Sequence, residues 1–153
     1  MSDALSQQFH QLCNDWGRAI RDQDLAWFDA HFAHDLMVTA HPWQTLRLNR
    51  EQMIELDRKI VQMDVEWVHV TAHRYGDVVL VHGIVHYDRE RFEEGASFGE
   101  NMPNGEQLSA RVNGKAVLYS VAWREKGDVW QIFDHHMIAV LDRDWREGHA
   151  DAT

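Results

Sequence analysis

The feature that most limits how this chain can fold is a change of period at Val65. Before it, apolar residues recur every three or four positions; after it, they alternate. Val65 to Arg74 and Val78 to Tyr87 are rich in Val, Trp, Ile and His, and Tyr75-Gly76-Asp77 joins them. Lys115 to Arg124 and Val129 to Leu141 repeat the arrangement around Lys126-Gly127-Asp128. Alternation marks half-buried strands, and a Gly-Asp turn between two such runs signals a hairpin. Four long strands in two hairpins are therefore expected.

The first third reads as helix. Leu5, Phe9, Leu12, Trp16 and Ile20 fall on one helical face, with Ser2 and Asp3 available as caps. Asp24 can cap a second, short helix carrying Leu25, Phe28 and Phe32. Leu36 to Ala40 reads as a strand stopped by Pro42. Asn49 and Gln52 stand in capping-box spacing before a third helix with Met53, Leu56 and Ile60 on its apolar stripe. Helices segregated from antiparallel strands indicate an α+β fold. Glu93 to Leu108 is a polar connection without an apolar pattern. It reads as a loop between the hairpins, or as a flap at a pocket mouth. Residues 1–142 form the expected domain. A polar tail follows at 143–153, in which Trp145 is the residue able to dock.

The bulk numbers exclude some functions. Of 153 residues, 44% are hydrophobic and 26% charged, which argues for a packed chain rather than a disordered one. The net charge of -10 repels phosphate backbones, and no basic cluster reverses it, so nucleic acid is not an expected partner. No segment approaches the ~18 apolar residues that a membrane span requires. The opening MSDALSQQFHQ lacks a basic region followed by an apolar run. A cytoplasmic location without membrane contact is the expectation. Cys13 is the one cysteine, so an intrachain disulfide is impossible. Eleven His invite a search for metal ligands. The pairs His69/His73 and His82/His86 lie four apart on strands, about 13 Å, too far to share an ion. No metal is assigned.

Three stretches carry a family resemblance: AIRDQDLAWFDAHFAHDLMVTAHP at 19–42, YGDVVLVHGIVHY at 75–87 and VAWREKGDVWQIFDHHMIAV at 121–140. Together they resemble the nuclear transport factor 2-like superfamily, which includes ketosteroid isomerase, scytalone dehydratase and polyketide-cyclase-like proteins. The resemblance implies a cone-shaped, curved antiparallel sheet wrapped by the three N-terminal helices around an apolar pocket.

It also implies site residues. His41, before Pro42, stands where isomerase-like members carry the Asp that moves the proton, so a general base is expected there. Tyr119 falls near the neutral acid that hydrogen-bonds the developing oxyanion, with the caution that a one-residue slip would turn it to the other face. Trp16 replaces the isomerase's catalytic Tyr. It is expected, with Trp43, His82 and His136, to line the pocket. The Asp–His dyad of the dehydratases is not carried over, because Arg21 and Met63 or Asp64 stand at its positions. The first expectation is a small-molecule isomerase or lyase of ketosteroid-isomerase-like type, taking a small apolar or aromatic ligand by proton abstraction without a cofactor. The alternative is a non-catalytic ligand-binding or oligomerisation module. A homodimer through the sheet face suits both.

Overall fold

The computed structural model describes residues 3–144; Trp145 and the rest of the tail lie outside the described residues. The first helix, α1, runs Ala4–Asp22. The Asp3 side chain accepts from the Ser6 amide at 2.7 Å, which satisfies one of the open donors at its start. Phe9, Cys13, Trp16 and Ile20 are buried, as their spacing requires. Gln23 ends the helix in the left-handed region, at φ 55°. α2 (Leu25–His31) is capped by Asp24. β1 (Phe32–Ala40) starts four residues earlier than the sequence suggests, because Phe32 belongs to it rather than to α2. A single 3-10 turn, His41–Trp43, follows with Pro42 in its first turn. β2 is Leu46–Asn49, and α3 (Arg50–Arg58) opens on the Asn49/Gln52 capping box.

The hairpins are longer than expected. β3 is Ile60–Tyr75 and β4 is Val78–Phe92. A fourth helix, α4 (Gly105–Val112), stands where the sequence reads as a loop. It is opened by a second capping box, Asn104 with Gln107. β5 (Lys115–Lys126) and β6 (Val129–Asp142) are the last elements among the described residues.

The six strands form one sheet in the order β2-β1-β6-β5-β4-β3. All neighbours are antiparallel except β1 and β6, which run parallel, so the sheet is mixed. It does not close: β2 and β3 remain as its edges. Pairing of β3 with β4 shifts register at Ile60/Gln62, Asp64/Val65 and Val68/Thr71. Each shift bends the strand, and three in one hairpin curl the sheet around the helices. Gly83 permits the tight wrap, since a Cβ there would stand 2.9 Å from the Trp67 ring. Among the described residues, no helix is long and apolar enough to cross a membrane.

α1 lies along the concave face, and its two halves meet different surroundings. The N-terminal half is packed solid. Phe9 makes edge contacts with Trp123 and Trp130 at 5.6 and 5.1 Å, and Phe9, Trp123 and Ile132 are fully buried. The C-terminal half, from Trp16 to Ile20, faces a cavity.

Candidate active site

The cavity holds about 100 Å³. Its walls come from α1, β1, β2 and α3, from the long hairpins, and from Leu108 and Val112 of α4. They are largely apolar. Five titratable groups interrupt them: Asp57, Tyr87, Glu90, Tyr119 and His135.

Glu90 owes its inward position to an irregularity. Along β4, Val81, Gly83, Val85 and Tyr87 face inward by simple alternation, which would place residues 89 and 91 next. Between Tyr87 and Arg89 the register shifts by one, so that Tyr87 pairs with Val65 and Glu90 with Met63. Glu90 and Phe92 then line the cavity. Asn113, just beyond α4, clamps the distortion. Its side-chain oxygen accepts from the Glu90 amide at 2.7 Å, and its side-chain nitrogen donates to the Glu90 carbonyl at 3.0 Å. Ser109 Oγ stands 3.5 Å from Glu90 Oε1. Burial pushes the Glu90 carboxyl up to about 7, against the weaker opposing pull of Ser109.

Asp57 reaches the cavity from α3. It is 1% exposed, and its Oδ2 has no hydrogen-bond partner among the described residues. Burial, then the proximity of Glu90, raises its carboxyl well above the ordinary range. The two acids thus share one low-dielectric chamber, where like charges are hard to hold together. Glu90 is poised between its two forms near neutral pH, and its charge opposes ionisation of Asp57.

Tyr87 and Tyr119, on adjacent strands, place their hydroxyls 2.5 Å apart. Burial drives both phenols upward, so both stay protonated. One of the two hydroxyl protons occupies the mutual bond, which leaves the other free to point elsewhere. His135 stacks on Tyr119 at 5.0 Å and meets the Trp16 ring at 4.9 Å. Burial pulls its imidazole down to about 3, with His136 adding to the effect, so it is neutral. Neither ring nitrogen of His135, nor Trp16 Nε1, has a partner among the described residues.

The structure brings together three of the six residues singled out from sequence. Tyr119, Trp16 and Trp43 line the cavity. The other three lie elsewhere. His41 is exposed and does not converge with Tyr119: Val38 and Ala40 point inward, and the next residue begins the 3-10 turn facing out. Its ring stands 6.0 Å from that of His136 instead. His82 is exposed on the outer face, between inward Val81 and Gly83. His136 is also outward, paired with Asp134 at 3.1 Å, and its neighbour His135 takes the inward place. No group of three or more metal-ligating side chains occurs among the described residues.

Asp57, Tyr87, Glu90 and His135 were not foreseen. Asp57 sits four residues after Met53, on the apolar stripe of α3, and an acid in that position is a readable signal. Tyr87 closes an alternating run and was readable too. Glu90 was not, because only the bulge turns it inward.

Solved structures share this architecture. A protein of unknown function from Pseudomonas putida is 22% identical, with 91% of this chain and 89% of that one covered and a TM-score of 0.58. A superfamily protein from Salmonella enterica serovar Typhimurium is 12% identical over 88% and 90%, with a TM-score of 0.63. This is the nuclear transport factor 2-like fold. The association domain of C. elegans CaMKII also has a similar structure, at 12% identity, 87% and 94% coverage and a TM-score of 0.59. No sequence-family profile and no curated protein sequence matches the chain. At such identities the likeness is one of fold. The nuclear transport factor 2-like cone accounts for the cavity's place between α1 and the sheet, and the chemistry rests on the side chains within it.

Proposed function

We propose that this protein is a proton-transfer enzyme, an isomerase or lyase, acting on a small uncharged carbonyl compound held in the cavity. One observation carries the reading: two buried carboxyls and a hydrogen-bonded phenol pair line a single largely apolar chamber. Glu90, rather than His41, is the base. In its ionised form it takes a proton from the carbon next to the carbonyl, and the bonding electrons move to the carbonyl oxygen. That oxygen gains charge and accepts a hydrogen bond from the Tyr87–Tyr119 pair. Glu90, now the acid, returns the proton to the carbon conjugated with the first, so the double bond has moved and the isomerisation is complete. Donors aimed at a developing oxyanion in a dry site contribute about 10²–10³ in rate. A positioned general base contributes about 10²–10⁴.

The conversion of cyclohex-3-enone to cyclohex-2-enone, followed by NMR in D₂O, tests the reading at a size the cavity accepts. The wild-type protein is expected to turn the ketone over. Glu90→Gln is expected to lose about two or more orders of magnitude while still melting cooperatively. Equal turnover by Glu90→Gln would remove the carboxylate from the chemistry.

A second reading, an oligomerisation module, is favoured by the outer sheet face. Ile138 is 39% exposed there, next to Ala139, which pairs with Leu118, and the similar CaMKII structure is an association domain. Light scattering of the wild type and of Ile138→Asp tests it. A monomer in both cases eliminates this reading, and a dimer that Ile138→Asp dissociates supports it.

A further inference from the structure

α1 is fastened to β3 at its two ends. The Ala72 amide donates to Ser6 Oγ at 3.0 Å, and His10 Nε2 lies 2.7 Å from the Trp67 carbonyl. At the other end, Gln23 Nε2 is 3.0 Å from both the Asp57 and the Ile60 carbonyls. Between these points polar side chains of α1 pair within the helix: Gln11 with Asp15 at 2.9 Å, Arg18 with Asp15 at 3.4 Å and Arg21 with Asp22 at 3.7 Å. Gly17 lies in the middle of that stretch.

Glycine in a helix interior lowers stability, so it calls for a reason. Packing does not supply one. A Cβ built on Gly17 would meet only Val65 Cγ2, at 3.7 Å, an ordinary contact, and the residue has an ordinary helical conformation. Gly17 and Val65 are also half-buried while lining the internal cavity, so they face both inside and outside. On the outer side lies a groove of about 240 Å³, bordered by Gln11, Asn14, Arg18 and Arg21. Gly17, Met63, Val65 and Trp67 border both spaces. The two are thus separated by a wall one residue thick, at the one place on the helix that has no side chain.

We infer that the α1–β3 seam at Gly17 is the ligand's portal, and that the polar groove outside it holds a polar tail of the ligand. The inference rests on the cavity being a ligand site. The inner chamber, at about 100 Å³, is smaller than the apolar cavity of roughly 150 Å³ that takes benzene, so one small ring is the most it would hold without some give in its walls. The groove offers amide and guanidinium donors. Arg18 and Arg21 each sit beside an aspartate, Asp15 at 3.4 Å and Asp22 at 3.7 Å, so the groove is polar without being strongly positive. The fitting class is a neutral amphipathic molecule: an apolar ring inside, with a chain ending in a hydroxyl or carbonyl outside.

The test uses 4-phenylbutanol as the probe and stopped-flow tryptophan fluorescence as the readout, since Trp16, Trp43 and Trp67 line the cavity. Gly17→Ala is expected to raise Tm by about 2 °C, as better helix propensity dictates, and to slow association several-fold. Gly17→Val is expected to slow association and dissociation together by about tenfold or more, with Kd changed less than about threefold, the mark of a gate rather than a wall. Wild-type association rates in both variants overturn the portal. Asn14→Ala with Arg18→Ala is expected to weaken 4-phenylbutanol several-fold and leave toluene unchanged; equal effects on the two probes overturn the tail site. Failure of the wild type to bind either probe removes the ligand-site reading itself, and the portal with it. Binding at the wild-type rate through Gly17→Val removes the portal alone.

Discussion

The two halves of α1 lie over the same sheet and carry the same apolar spacing, yet one covers a solid core and the other a hollow. Under Phe9, the rings of Trp123 and Trp130 interlock and fill the narrow part of the cone. Under Trp16 and Ile20, the strands have splayed through the bulges of the β3–β4 hairpin, and a carboxyl takes the place of another ring. The filled half supplies stability. The hollow half gives some up, because it keeps acids, phenols and an imidazole away from water.

The widest separation between the halves is expected from truncation. Phe9→Ala, in the filled half, should cost about 3–5 kcal/mol in urea unfolding, while Met53→Ala, which borders existing space, should stay near ~2 kcal/mol. Equal losses would mean that the halves are packed alike.

The pH dependence comes next. Folded Glu90 keeps its proton up to about 7, while the unfolded chain releases it near 4.5. Between these values the folded state binds more protons, so stability falls as pH rises, and it levels off above about 7. The shift corresponds to roughly 3 kcal/mol, and Asp57 acts in the same direction. His135, held down to about 3 from an ordinary 6.5, acts in the opposite direction below pH 6.5, so the Glu90 contribution is read as the wild-type urea midpoint minus that of Glu90→Gln, a difference that should fall from pH 5 to 8. The filled half contributes no such slope.

Tyr119→Phe is a smaller change. It strands the buried Tyr87 hydroxyl and should cost about 1–3 kcal/mol, with a further loss in ketone turnover. Least of all, His41→Ala on the exposed turn should alter stability by under ~0.5 kcal/mol and leave turnover unaltered. A large loss of turnover there would return the base to the rim of the cone and undo the case for Glu90.

Most of the fold was legible because it is written in local patterns. The Asn49 capping box, the α1 stripe and the two Gly-Asp hairpins each declare themselves within a dozen residues. α4 was not, since its inward face offers only Leu108 and Val112 as large apolar residues, although Asn104 and Gln107 do carry a capping box. The parallel pairing of β1 with β6 joins residues about a hundred positions apart, as at Phe32 and Ile132, and no local pattern encodes it. The site was half legible. Tyr119, Trp16 and Trp43 follow from the fold's register. His41 and His136 failed by one position each, because a strand's end and its alternation decide between inside and outside. Glu90 depends on the shift beyond Tyr87, which is set by Asn113, 23 residues downstream.

That dependence has an evolutionary reading. Straightening the bulge with every residue kept, as loss of the Asn113 clamp would favour, restores plain alternation and swings both Glu90 and Phe92 to the outside, without changing any amino acid that touches the cavity. A scaffold of this kind can gain or shed its acid through one substitution outside the chamber, at the residue that holds the bulge. Chains with near-identical composition could then differ between reactive and inert, and comparison by residue identity alone would miss the distinction.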